Sequence, residues 1–207
     1  MSYNERALLR KIFSTAHRIL LERVLDNVFP GIHGSVLVVG AGKEPYRRLL
    51  CSASHVVLTD ITDSSDNIDQ IVDVHRMPFD DSSFDVIFAI EVFEHLESPS
   101  SAASEIYRVL RPGGLVFLSI PFMFRIHGDP FDFQRFTSHG IKFLFRDFQD
   151  IQITPFGSRF HVVSDILSTS SKLSAVFRPV NWFLTLPFFS SVSQDCCSGY
   201  FVTLSKI

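Results

Sequence analysis

The spacing of apolar residues changes character partway along the chain. Leu8, Leu9, Ile12, Phe13, Ala16, Ile19, Leu20, Val24, Leu25 and Val28 recur at helical intervals, with Arg10, Lys11, Arg18, Glu22 and Arg23 between them. This predicts an amphipathic helix that ends before Pro30-Gly31. Acids interrupt its basic face, which favours packing on the domain over lying on a membrane surface. From Ser35 onward short apolar runs take over, at 36–39, 56–58, 71–74, 86–90 and 115–120. These do not alternate with polar residues, the pattern of strands buried on both faces. Helical stretches over 45–50 and 98–110 separate several of them. The second is closed by Arg111-Pro112-Gly113-Gly114, where proline and glycine are expected to stop the helix and turn the chain into the next strand. Strand–helix alternation of this kind predicts an α/β fold with an open, doubly wound, mostly parallel sheet.

After Pro121 the chain reads FMFRIHGDPFDFQRFTSHG, rich in aromatics and charge. Thr137 or Ser138 is expected to cap a short helix running to Phe145. Segments 150–154 and 200–204 read as strands that close the sheet in antiparallel fashion. Between them, 161–190 form an apolar insertion broken by serine and proline. The expected organisation is one domain over 1–207, with an N-terminal helix in 1–30, a core in 34–156 and 198–207, and a lid in 161–190.

Composition narrows the classes of function. The chain has 207 residues, 46% of them hydrophobic and 20% charged, enough for one well-buried core and unlike a disordered segment. A net charge of −3 offers no footprint for nucleic acid, so none is expected as a partner. Three cysteines, Cys51 and the adjacent Cys196-Cys197, form no disulfide framework and suit a reducing compartment. The start MSYNERALLRK lacks a continuous apolar segment of the signal-peptide kind. Segment 176–189 is interrupted by Arg178, Pro179, Asn181 and Pro187, whereas a membrane span needs about 20 apolar residues. A cytoplasmic protein acting on a small molecule is the expectation.

In open α/β sheets ligands bind beyond the carboxyl ends of the strands, so the candidates are residues just after strands. Gly40-Ala41-Gly42 follows the first strand in VLVVGAGKEPY, where glycines let a ligand approach the backbone. Pro45 replaces the third glycine of a dinucleotide fingerprint and Leu37 the first glycine of a P-loop, which disfavours both pyrophosphate readings. A purely structural strand–helix turn reads almost as well. Asp60 ends the second strand 18 residues beyond Gly42, close to the roughly 20 expected of a ribose-binding acid. Asp73-Val74 offers a carboxylate and a backbone N–H to an adenine, and Glu91 places a further carboxylate at the same edge. His127 follows the fifth strand and is a candidate proton acceptor, with Asp132 to orient it and Arg135 to hold an acidic or polyol substrate. His95, beside Glu94 at a helix start, reads as structural. Among His127, Asp129 and Asp132 the spacing fits no strong metal signature, and no metal is expected.

VLVVGAGKEPY, VVLTD, VDVHRMPFDDSSFDVIFAIEVFEHL, EIYRVLRPGG and YFVTLSKI together resemble class I S-adenosylmethionine-dependent methyltransferases, over roughly 34–121 and the last strand. The resemblance implies a seven-stranded Rossmann-like sheet and S-adenosyl-L-methionine as cofactor, with S-adenosyl-L-homocysteine as product. Gly40, Ala41 and Gly42 would line its methionine part, Asp60 would bind its ribose, Asp73 and Val74 its adenine, and Glu91 would approach its amino-acid end, with Ile61 also among the cofactor-binding residues. Tyr46 and Arg135 would face the acceptor. Two positions depart from the pattern: Val38 stands where the family commonly has an acid, and Glu44 where it commonly has glycine. Glu44 is the substitute anchor this reading puts forward for the methionine ammonium. The expected activity is methyl transfer to a small polar acceptor such as a sugar or glycan-precursor hydroxyl. HGDPFDFQRFT resembles a segment of family members associated with glycan pathways, while the many phenylalanines also admit a lipid-linked acceptor. Two alternatives remain: a methyltransferase-like binding or scaffold protein with little turnover, and a nucleotide-dependent oxidoreductase.

Overall fold

A computed structural model describes residues 14–43, 46–63, 66–128, 131–170, 174–186, 192 and 195–207. Helix α1 (Ala16–Val28) begins at Thr15, whose hydroxyl accepts from the Arg18 amide at 3.2 Å, an ordinary N-cap. Leu8 to Phe13 of the expected helix lie outside the described residues. Strand β1 (Ser35–Val39) is followed by the short α2 (Tyr46–Leu49), then β2 (His55–Asp60), β3 (Gln70–Ile71) and β4 (Phe84–Ile90). A 3-10 turn at Phe93–His95 leads to α3 (Pro99–Val109) and β5 (Leu110–Pro121). The chain ends with α4 (Ser138–Leu144), β6 (Gln149–Phe156), α5 (Arg159–Ser170), α6 (Ser174–Leu184) and β7 (Gly199–Ser205).

The seven strands form one sheet in the order β3-β2-β1-β4-β5-β7-β6. Strands β1 to β5 pair in parallel, and β7 runs antiparallel between β5 and β6. Order reverses between β1 and β4, the crevice where such sheets hold ligands. Alternate residues feed opposite layers. Leu37 and Val39 join the core beneath α3 and α4, whereas Val36 and Val38 join the core beneath α1 and α2. This explains Val38: it is 0% exposed and packed with Leu50, Leu58 and Phe88, where an unpaired carboxylate would be costly.

Two expectations need correction. Arg111-Pro112-Gly113-Gly114 is no turn between helix and strand, because β5 already pairs at Leu110. The partner of Phe84 is Leu110 and that of Val86 is Leu115, so the intervening residues bulge from the strand. The insertion is not a broken apolar stretch but two helices, α5 and α6, with Pro179 inside the second. Both pack on α1: Arg23 donates to the Thr185 carbonyl at 2.5 Å, and the Asn181 amide donates to the Ser14 carbonyl at 3.1 Å. Among the described residues, no helix is long and apolar enough to cross a membrane.

Candidate functional site

The parallel strands bring Gly40, Asp60, Asp73, Glu91 and the segment after Pro121 to one edge of the sheet. Gly40 adopts φ +65°, and a Cβ added there would lie 2.6 Å from Val92 Cγ2. The turn after β1 is thus pressed against the residue that follows Glu91. Gly42 also has positive φ, at +54°, but open space surrounds the position of its missing side chain. Its amide donates to Asp60 Oδ2 at 2.9 Å, and the Ala41 amide donates to the Thr59 carbonyl at 2.9 Å. The loop is therefore hung from the end of β2, with the Asp60 carboxylate at the hinge. Ile61 beside it is 64% exposed, an apolar surface available to a flat ring. Glu44 and Pro45, and with them the substitute anchor, lie outside the described residues.

Asp73 accepts from the His75 amide at 2.9 Å and meets His75 Nδ1 at 2.7 Å. The backbone bond, outweighing the effect of burial, holds its carboxyl below the usual value. Val74 is buried. Glu91, a non-glycine residue at φ +55°, turns its carboxylate back onto the sheet edge. Ser119 Oγ donates to its Oε1 at 2.7 Å, and His17 Nε2 lies 2.9 Å from Oε2. Burial raises the Glu91 carboxyl, but the charge and hydrogen bond of His17, with that of Ser119, more than reverse this and leave it below its ordinary value.

His17 was not among the expected site residues. It is 3% exposed, with Nδ1 2.8 Å from Ser198 Oγ and its ring 4.8 Å from that of Phe124. What places it is Asp165 on α5, which accepts from the Ala16 and His17 amides at 2.6 and 2.9 Å. With Thr15 taking the third amide, the first turn of α1 is fully capped and its histidine is aimed at Glu91.

The segment after β5 folds over the 3-10 turn. The Glu94 carbonyl accepts from Phe133 N at 2.8 Å, and Gln134 donates to the Leu96 carbonyl at 2.7 Å. Asp132 and Arg135 form a bidentate pair, at 2.5 and 2.8 Å, and Asp132 also accepts from the His127 amide at 2.7 Å. The guanidinium drops the Asp132 carboxyl to about 2. Arg135 further donates to the carbonyls of Phe124, Arg125 and Gln134, so it acts as a clasp on this segment and has little left for an acceptor. Asp132→Ala is expected to lower stability by about 1–2 kcal/mol in denaturant titration, between exposed and fully buried pairs, since Arg135 stays partly solvated. Tyr46 does not join the others: it is 5% exposed and packs edge-on to Phe29, so its ring is core.

Glu94 is 0% exposed, with His127 Nε2 3.5 Å and His95 Nε2 3.6 Å from its Oε1. Burial raises the Glu94 carboxyl, and Glu94 in turn raises the His127 imidazole. Asp132 Oδ2 lies 3.4 Å from Nδ1 of the same ring. A depression of about 550 Å³ lined by Arg47, Leu50, His55 and Asp69 lies along the flank of β2, away from all these groups. The strand-end chemistry, not that hollow, marks the candidate site.

Comparison with known proteins agrees with this geometry. Residues 37–118 match the family model described as "Methyltransferase domain". An uncharacterized methyltransferase of Schizosaccharomyces pombe is 32% identical over 79 residues, covering 36% of this chain and 28% of that protein. A SAM-dependent methyltransferase from Archaeoglobus fulgidus superposes with a TM-score of 0.62 at 16% identity, covering 99% of this chain and 100% of that one. Phosphoethanolamine N-methyltransferase 2 of Haemonchus contortus, in complex with S-adenosyl-L-methionine, gives 0.59 at 17% identity, covering 92% and 52%. The chain thus has the fold of the class I methyltransferases. Within it, the match to the methyltransferase-domain model spans residues 37–118, less than half of the chain. The stretch shared with the curated yeast relative is about a quarter of that protein's length.

Proposed function

We propose that this chain binds S-adenosyl-L-methionine and transfers its methyl group to an oxygen of a small polar acceptor, of the sugar or glycan-precursor kind. The observation that carries the reading is the convergence of Asp60, Asp73 and Glu91 around a glycine turn that tolerates no side chain at Gly40. Gly40, Ala41 and Gly42 would follow the methionine part. Asp60 would accept from the ribose hydroxyls, and Ile61, Asp73 and Val74 would bracket the adenine. Glu91, already paired with His17, would meet the amino-acid end in place of an acid at Val38. When bound, the cofactor supplies an electrophilic methyl on a sulfonium, and in-line attack leaves the protein mainly to position the nucleophile and exclude water. The Glu94–His127 pair, with Asp132 behind the imidazole, would take up the proton of an acceptor hydroxyl. Helices α1, α5 and α6 would close over the acceptor.

Thermal melting with S-adenosylmethionine, S-adenosylhomocysteine and NAD tests this. A ligand at about one hundred times its Kd should add about 2.7 kcal/mol of stability. Both sulfur compounds should raise Tm and NAD should not. Asp60→Ala should weaken S-adenosylhomocysteine about tenfold through loss of charge-assisted hydrogen bonds. No shift with either sulfur compound at roughly millimolar concentration would end the enzyme reading.

A further inference from the structure

Both carboxylate oxygens of Glu94 lack a hydrogen-bond partner, although the side chain is completely buried. An uncompensated buried carboxylate costs several kcal/mol, so a proton or a cation must neutralise it. Its separations from the two imidazoles, 3.5 and 3.6 Å, are longer than the roughly 2.7–2.9 Å of charge-assisted hydrogen bonds. They match the edge of a tetrahedron around an ion whose bonds are about 2.0–2.1 Å, which is roughly 3.4 Å long. Glu94, His95 and His127 each offer one ligand atom, all within 4.8 Å of one another.

We propose that Glu94, His95 and His127 form a binding site for one divalent transition-metal ion. The surroundings are those of a ligand set. The Phe131 carbonyl accepts from His95 Nδ1, which leaves the Nε2 lone pair directed at Glu94. Asp132, fixed by Arg135, lies 3.4 Å from Nδ1 of His127, within ion-pair reach, although that nitrogen makes no hydrogen bond. The two rings meet at 68° with centroids 5.0 Å apart, so they do not stack and their nitrogens converge. Gly128 backs the site: at φ +69°, a Cβ there would come 2.7 Å from His95 Cε1. Two imidazoles and one carboxylate suit zinc, cobalt or iron better than magnesium or calcium. Three protein ligands leave coordination open, the mark of a catalytic site and not of a structural one.

This inference rests on the proposed function for its purpose: the ion would neutralise the buried Glu94 carboxylate, and its open positions would take oxygen from a hydroxyl-bearing acceptor. Ion binding itself is measured without the cofactor. Protein freed of any affinity tag and stripped with EDTA is titrated calorimetrically with Zn²⁺, Co²⁺ and Mg²⁺. One equivalent of Zn²⁺ or Co²⁺ should bind, Co²⁺ should develop the visible bands of a low-coordinate centre, and Mg²⁺ should bind far more weakly. His95→Ala, His127→Ala and Glu94→Gln should each weaken Zn²⁺ by about tenfold or more. Gly128→Ala should weaken it through His95, and His33→Ala, remote and exposed, should not. Melting curves identify any variant that fails to fold, and Glu94→Gln keeps the shape of the side chain. Absence of a stoichiometric ion in the wild type, or wild-type affinity in the three folded ligand variants, overturns the site. A parallel S-adenosylhomocysteine shift in the same samples keeps the two readings apart: a shift without ion binding overturns only the metal site, and ion binding without a shift overturns only the methyltransferase reading.

Discussion

Gly40→Val is expected to leave a folded protein that no longer responds to S-adenosylhomocysteine in thermal melting. Two independent penalties act at this position. The backbone sits at φ +65°, where a β-branched residue is strained, and the new side chain would meet Val92 Cγ2 at 2.6 Å from its Cβ. Together these should lower stability by about 2–4 kcal/mol. The chain can relieve them only by moving the turn away from Val92, which breaks the Gly42–Asp60 contact and takes the loop amides out of register with the strand ends. Val92→Ala in the same protein should restore part of the stability and little of the ligand response, because the clash is removed while the backbone strain stays. Full cofactor binding by Gly40→Val would show that the turn is only structural.

Asp165→Ala should act on the same site from a distance. The carboxylate takes the first two amides of α1, and its removal leaves two buried donors unmet, a loss of about 2–4 kcal/mol in denaturant titration. The pH dependence has a definite sign. Burial raises the Asp165 carboxyl from 3.8 to about 6, so between those values the folded chain binds more protons than the unfolded one. The stability this group contributes is therefore full below about pH 4 and declines as pH rises to about 6, by up to roughly 3 kcal/mol. The deficit of the variant should shrink over that interval. A deficit that grows with pH would mean that the ionised carboxylate is the better cap. With α1 loosened, His17 would leave Glu91 without its partner, and affinity for S-adenosylhomocysteine should fall as well.

How much of this could be read from the chain depends on the distance over which each feature is encoded. Strands β1 and β4 announce themselves because burial on both faces leaves the apolar runs 36–39 and 86–90. Thr137 was legible as a cap because its partner, Gly140, is three residues away. Asp60 follows the glycine turn at a spacing set by one strand–helix–strand unit, so the glycine and the acid can be matched by counting. Arg111-Pro112-Gly113-Gly114 misled because proline and glycine signal a turn locally, whereas the sheet absorbs them as a bulge between two registered pairs. Serines and threonines in α5 blur its helical period, and Tyr46, at a helix start beside the glycine turn, proved to be core. His17 was missed entirely: within its own helix it interrupts the apolar stripe, and its partners lie 74 and 181 residues away. The proposed ligand set is not legible in the sequence for a similar reason. Glu94 and His95 are adjacent, His127 comes from the far side of a strand, and no motif spacing describes that set.

The tie between Ala16, His17, Asp165 and Ser198 also bears on the order in which the protein is made. Helix α1 leaves the ribosome ahead of the sheet, yet its capping acid follows 149 residues after Ala16 and the serine beside its histidine 181 residues after His17. Contacts of such separation close late, because the chain between them must already be compact. The nascent chain can therefore build the core of β1 to β5 while α1 waits undocked. On this account the Glu91 pocket is completed only once the last strand has emerged, and an unfinished chain would carry the turn for the cofactor without the histidine that completes it.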